Sequence, residues 1–415
     1  MRRTSTIVRR FFAVLAISTG FVACSDPFPG IVYTFKTGDI CSCGGPADNL
    51  VYATDEYGNI LDVKVYQSNQ TVQLVSLNSS IPARINLTYV RYSKDGSFTT
   101  INTNLGVSTK RTLDPDATYV VLAEPKEWLQ ATVNNFEGNQ YDFLVSRMEE
   151  NGYGPSTSVN NSTLHVSIPI YSSHEALFLS SYRDGNWVYF EKDVRSDTSP
   201  VKLDFNSDFK PMQHALILEY SLPGSRGSID GFKIIKTSPT KVLHHYQSRK
   251  SGLPTESNPY KLGYNDGYDY YYTSVTAYFE NGVYQQYEKL GSTTPATIPV
   301  LNYTLNLKNR DIFNFQFTLS GPFVSRRSLW TLNEAGHNVT WSISSSPDGK
   351  QNLQKVYEDL RKRYPELSLA KMVYSNSSFG YYNSNGPIDY KLMYNPPPNF
   401  APNYEQSNIT FNELP

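Results

Sequence analysis

Runs in which every second residue is apolar recur through this chain of 415 residues and constrain its fold more than any other feature. Ile31, Tyr33 and Phe35 form one such run. Leu164, Val166, Ile168 and Ile170 form a second, and Phe313, Phe315, Phe317 and Leu319 a third. A period of two places one set of side chains on one face, so each run predicts a half-buried β-strand. After each comes a segment with hairpin chemistry: TDEYGNILDVKV around Gly58-Asn59, SYRDGNWVYFE around Gly185-Asn186, and LNEAGHNVTWS around Gly336. Gly and Asn tolerate the positive φ that tight hairpin turns demand. A further apolar strand then closes on Tyr-Ser, at Tyr92-Ser93, Tyr220-Ser221 and Tyr374-Ser375. From turn glycine to that tyrosine the spacing is 34, 35 and 38 residues. Three unlike features at nearly equal spacing read as an internal three-fold pattern.

Two stretches punctuate it. Residues 149–162 (EENGYGPSTSVNNS) and 291–299 (GSTTPATIP) are rich in small and turn-forming residues, as linkers or long loops are. The expected organisation is a signal peptide over 1–23, a tether over 24–30, and three units over 31–148, 163–290 and 300–415, each of ordinary domain size. Short, regularly spaced strands without alternating helices predict a mostly β chain of three tandem immunoglobulin-like or β-sandwich units. One amphipathic helix is expected in the last unit, at about 350–364, where Leu353, Val356, Leu360 and Tyr364 share a face and Pro365 follows. Its Arg361-Lys362-Arg363 run reads as a solvated face with cations at the favourable end of the dipole.

The N-terminus carries an address. Arg2, Arg3, Arg9 and Arg10 precede thirteen uncharged, largely apolar residues, Phe11 to Ala23, too short to span a bilayer but suited to a signal-peptide core. The run ends Phe21-Val22-Ala23-Cys24, which resembles a bacterial lipobox, with Phe21 in place of the usual aliphatic residue. The resemblance implies cleavage before Cys24 and acylation of its thiol, palmitate included. With the tandem β-units and the Tyr-, Asn- and Ser-rich composition, the chain resembles surface lipoproteins of the Bacteroidota type. That implies a cell-envelope protein held by lipid at the outer membrane, its partners being the membrane and a glycan or surface protein. No particular family with a known activity is singled out.

Charge agrees with such a setting. The formal net charge is −1, and loss of residues 1–23 removes four arginines and no acid, leaving −5. A mildly acidic chain without a basic patch is not expected to bind nucleic acid. Charged residues make up 18 %, below the usual 25 % or so. Only Cys41 and Cys43 remain beside Cys24; as a C-x-C pair without a second Cys or His pair they predict a local disulfide or two thiols rather than zinc.

The motifs of catalysis are missing. The six histidines (His165, His174, His214, His244, His245 and His337) show no metal-ligand spacing, and no nucleophile elbow or phosphate loop occurs. Asp114 with Asp116, and Asp266 with Asp269, are paired carboxylates of the kind a glycosidase or calcium site uses, without the ladder of oxygens an EF-type loop needs. No metal or cofactor is expected. The binding candidates are aromatic: Tyr264, Tyr268 and Tyr270 around Asn265-Asp266-Gly267, and Tyr381 and Tyr382 beside Asn383. A tyrosine presents a flat apolar face with a polar tip, which suits sugar rings and protein hot spots alike. The expected function is a non-catalytic binding or assembly protein contacting glycan or protein through aromatic loops. The alternatives are an extracellular glycan-active enzyme and a fimbrial or adhesin-type structural subunit that accepts a donated strand.

Overall fold

A computed structural model describes residues 30–37, 47–67, 70–76, 81–94, 98–109, 127–138, 143–145, 155–170, 176–193, 199–218, 225–235, 241–250, 260–334, 337–382 and 401–413. The signal segment, Cys24, Cys41, Cys43, Asp114 and Asp116 lie outside the described residues. The chain is mostly β, with one α-helix, Gln354–Arg363, among the described residues.

Twelve strands form one sheet, in the order Lys241–Lys250, Arg226–Ile235, Tyr270–Tyr278, Val283–Gly291, Asn403–Asn412, Val373–Tyr382, Ser325–Glu334, His337–Ser345, Phe98–Ser108, Arg84–Ser93, Ala47–Thr54 and Ile60–Tyr66. Strands from the early, middle and late thirds of the chain thus share one ladder. Its pairs are antiparallel except for one parallel seam, where His337–Ser345 lies beside Phe98–Ser108 with Trp341 opposite Ile101.

The helix covers one face of the central strands. Its Val356 and Leu360 are fully buried with Leu353, against Trp330, Trp341, Tyr52 and Ile101. Both indole N–H groups are satisfied: Trp341 Nε1 donates to Thr103 Oγ1 at 3.0 Å and Trp330 Nε1 to the Arg310 carbonyl at 2.8 Å. A buried indole needs such a partner, which fixes its orientation as well as its place. Towards the Ile60–Tyr66 end, the other face is covered by a two-stranded sheet of Gly30–Lys36 and Thr71–Ser76. There Val32, Tyr33, Val72 and Leu74 pack on Val51, Ile85 and Leu87.

At the opposite end, two four-stranded sheets pack face to face. One contains Glu127–Asn134 and Thr163–Ile170, the other Ala176–Arg183 and Asn186–Asp193, and they share a core that includes Leu129, Leu164, Leu179 and Val188. Phe178, on the outer side of the second sheet, packs with Ile229, Tyr271 and Val275 of the twelve-stranded one. Three layers of sheet are therefore stacked here, as half-apolar strands require when each must bury a face.

The turns follow their residues. Asp184 and Gly185 both take positive φ (52° and 80°) between Ala176–Arg183 and Asn186–Asp193, and Gly58 (79°) closes Ala47–Thr54 to Ile60–Tyr66. The tip at Gly336 lies outside the described residues, while its strands pair in full register.

Three expectations need correction. A bulge between Ile31 and Tyr33 inserts Val32 into the core and leaves Ile31 half exposed. The run from Phe313 to Leu319 is strand only over Gln316–Leu319: the Asp311 carboxylate accepts from the N–H groups of Phe313 and Asn314, and that local turn replaces ladder bonds. Tyr374-Ser375 opens the strand Val373–Tyr382 instead of closing one, whereas Tyr92-Ser93 does end Arg84–Ser93. The three hairpins also differ in setting, the first and third joining the twelve-stranded sheet and the second a four-stranded one.

Candidate functional site

The face of the central strands opposite the helix is polar. Directly paired residues share a face, and tracing the register across seven strands gives one row: Asn104, Ser344, Arg327, Ser378, Thr410, Tyr284, Tyr278. The alternation that turns Trp341, Trp330 and Phe379 inward puts this row on the opposite face, where Arg327 is exposed, Thr410 is buried and the rest are half-buried. Neighbouring strands lie about 4.8 Å apart, so the row extends over nearly 30 Å.

The row has internal order. Ser378 Oγ and Thr410 Oγ1 are 2.6 Å apart, and Arg327 Nε donates to Ser342 Oγ at 2.8 Å. Tyr284 and Tyr278 close the row as a pair of half-buried rings, with centroids 5.5 Å apart and planes tilted by 38°. The adjacent row runs Ser325, Gly380, Asn408, Gln286, Thr276, Arg226. At its centre Gly380 keeps the floor low, because a β-carbon there would collide with Ser325 Oγ and Asn408 Oδ1. Around it lies a depression of about 450 Å³ bordered by Arg327, Ser344, Ser378, Asn408 and Gln286.

A third row holds Tyr382, Gln406 and Glu288, directly paired across three strands. Tyr272 and Gln406 each donate to the Glu288 carboxylate, one to each oxygen. Tyr382 hydroxyl and Ser325 Oγ lie 3.3 Å apart, which places this ring at the rim of the depression.

The sequence-derived tyrosines distribute differently. Of Tyr264, Tyr268, Tyr270, Tyr381 and Tyr382, only Tyr382 stands beside the Gly380 floor. Tyr270 is fully buried and stacked on Phe232, 4.9 Å between centroids and 4° between planes, so it has no free ring face to present. By alternation Tyr270 lies on the same side of its strand as Tyr272 and Tyr278, but at the opposite end of the strand from Tyr278, where the directly paired Phe232 covers it. Tyr268 packs edge-on against Tyr271 in the inter-sheet core, and its burial raises the phenol pKa. Tyr264 lies over His214, whose Nε2 is 2.7 Å from Asp266 Oδ2. Tyr381 is paired with Ser407 and projects to the helix side of the sheet. The outward row had its own signal in the alternating small polar residues Thr100-Asn102-Asn104, Thr340-Ser342-Ser344 and Gln406-Asn408-Thr410. These are the polar half of the same period-two pattern.

A second concavity, about 810 Å³, is mainly apolar and lies on the helix side between Ile217, Val275, Phe279, Tyr287 and Ile298. Its Gln285 is committed to the wall: Nε2 donates to the Pro299 carbonyl at 2.7 Å and Oε1 accepts from Leu301 N at 2.9 Å. Among the described residues, no group of three or more His, Cys, Asp or Glu side chains is placed to hold a metal ion. Compared with protein-family models, with curated proteins and with solved structures, the chain matches none.

Proposed function

We propose that this protein is a lipid-anchored cell-surface binding protein of the bacterial envelope, held through Cys24, that retains a saccharide chain on the polar face of its central sheet without cleaving it. The observation that carries this reading is the seven-strand row running from Asn104 to the Tyr278–Tyr284 pair. Hydroxyl, amide and guanidinium groups at strand spacing match the repeated hydroxyls of an extended polyol, and tilted tyrosine rings offer apolar faces for the C–H faces of sugar rings. The floor at Gly380 lets a chain approach the backbone closely. The arginines at the start of the chain, the apolar run after them and the FVAC sequence support the anchor.

The test is a glycan array probed with the detergent-extracted protein. Retention of at least one polysaccharide is expected, reduced about tenfold or more by the pair Tyr278→Ala and Tyr284→Ala, a loss of about 1.4 kcal/mol. Tyr264→Ala should bind like the parent. Failure of the protein to retain any glycan, equal retention by the double variant, or shortening of the retained polysaccharide would each overturn the reading.

A further inference from the structure

Resting on that reading, we propose that the saccharide is acidic, a chain bearing sugar carboxylates, and that Arg327 is the residue that selects it.

Arg327 sits third in the outward row, exposed, with Ser344 and Ser378 as its direct cross-strand neighbours. Its one side-chain bond among the described residues is from Nε to Ser342 Oγ. Ser342 is itself buried, so this bond comes from the sheet side and fixes the plane of the guanidinium. Both terminal nitrogens are left without a described partner. A guanidinium held at Nε with two coplanar N–H₂ groups free has the geometry that takes a carboxylate in two parallel hydrogen bonds.

The surrounding charges favour an anion. Arg226, exposed at the far end of the adjacent row five strands away, also has no ion pair among the described residues and offers a second cation to an extended anionic chain, not to the group held at Arg327. The carboxylates on the same face are occupied or withdrawn: Glu288 is bonded by Tyr272 and Gln406, and Asp230 is buried beside Ser228. Ser344 and Ser378, on either side of Arg327, supply hydroxyls without charge, while Thr410 is buried and bonded to Ser378. A neutral chain would satisfy these hydroxyls and leave the guanidinium to water. A uronate chain satisfies both.

Arg326, its neighbour in sequence, does not share the role. It points to the opposite face, where its guanidinium lies over the rings of Phe315 and Phe317 at 5.4 and 5.3 Å, and Nη2 donates to Gln351 Oε1.

The probes are polygalacturonate oligomers and the same oligomers fully methyl-esterified, titrated calorimetrically into the detergent-extracted protein at physiological salt. The free acid should bind at least about tenfold more tightly than the ester. Arg327→Gln should abolish that difference by weakening the acid alone, with the ester changed less than twofold. Arg327→Lys should restore only part of it, since an ammonium keeps the charge but not the planar fork. Equal affinity for acid and ester, or a preference that survives Arg327→Gln, overturns the acidic selectivity while leaving saccharide binding intact. Acidic selectivity is likewise overturned if neither oligomer binds although neutral glycans on the array do. If no saccharide of any kind is retained, saccharide binding itself falls, and selectivity with it. Thermal melting of Arg327→Gln within about 2 °C of the parent separates lost recognition from lost folding.

Discussion

Tyr52 joins strand to helix through one hydroxyl. Its ring is fully buried in the core beneath the helix, and its hydroxyl donates to Asp359 Oδ2 at 2.9 Å. Asp359 in turn accepts from Arg363 Nε at 2.6 Å, one helical turn on. Burial, with the Asp359 carboxylate second, pushes the Tyr52 phenol well above its ordinary pKa. Replacing Tyr52 with Phe keeps the packing and removes one hydrogen bond to a charged group. Because Asp359 retains Arg363 and some solvent, the expected loss is about 1 kcal/mol, read as a lower midpoint in urea at unchanged slope. A loss above about 3 kcal/mol would show that the hydroxyl does more than bridge two elements. At this same scale Arg326 and Arg327 show how one step along a strand changes a residue's work. The first is packed between phenylalanines and the second stands on an open polar face.

Hairpins in this chain share turn chemistry and differ in what they touch. Gly58 and Gly185 both have φ near +80°. A β-carbon on Gly185 would meet nothing within 4 Å, whereas one on Gly58 would stand 2.7 Å from the Asn352 carbonyl oxygen, just ahead of the helix. Gly185→Ala therefore costs the conformational penalty alone, about 1 kcal/mol. Gly58→Ala adds a collision with backbone and should cost at least about twice as much by chemical denaturation; equal losses would contradict the close approach. Asn352 Nδ2 donates to the Glu56 carbonyl at 2.8 Å, so this turn docks on the segment that starts the helix. The turns themselves are legible in Asp-Gly-Asn and Tyr-Gly-Asn, since positive φ is a local requirement. That one turn docks and the other faces solvent depends on residues almost three hundred positions away.

Across the whole molecule, buried phenols set the alkaline limit. Tyr89, Tyr268 and Tyr287 have pKa values raised chiefly by burial, as does Tyr52, and burial lifts Tyr364 to about 12. A phenol whose pKa is higher folded than unfolded contributes stability that is fully present below its unfolded value, near 10, and is lost as pH rises toward the folded one. Arg326 acts in the opposite sense: burial lowers its pKa to about 10, so folding is relieved of its charge over the same window. Five phenols oppose one guanidinium, and the phenols prevail. Melting temperature should therefore hold from about pH 7 to 9 and fall steeply above about pH 10. A melting temperature flat to pH 11 would show that these rings ionise without unfolding the sheets. The failure should be collective, because the parallel seam between Phe98–Ser108 and His337–Ser345 ties the early and late parts of the chain into one ladder.

The mostly β character, the hairpin turns and the helix with its buried Leu353, Val356 and Leu360 are local outcomes, because period and turn chemistry are properties of neighbouring residues. The sequence equally contains the alternation of Asn, Ser and Thr that makes one sheet face polar, although its clustered tyrosines draw the eye first. Which strands stand side by side is settled by folding as a whole. Pairing is a choice among many compatible edges, made by what each face can bury, and no single strand encodes its neighbour. That choice put Tyr270 against Phe232 in the interior, while Tyr278 and Tyr284 were aligned with Arg327 in one outward row. A row across seven strands is assembled from seven separate stretches of chain, and it exists only once the register is set.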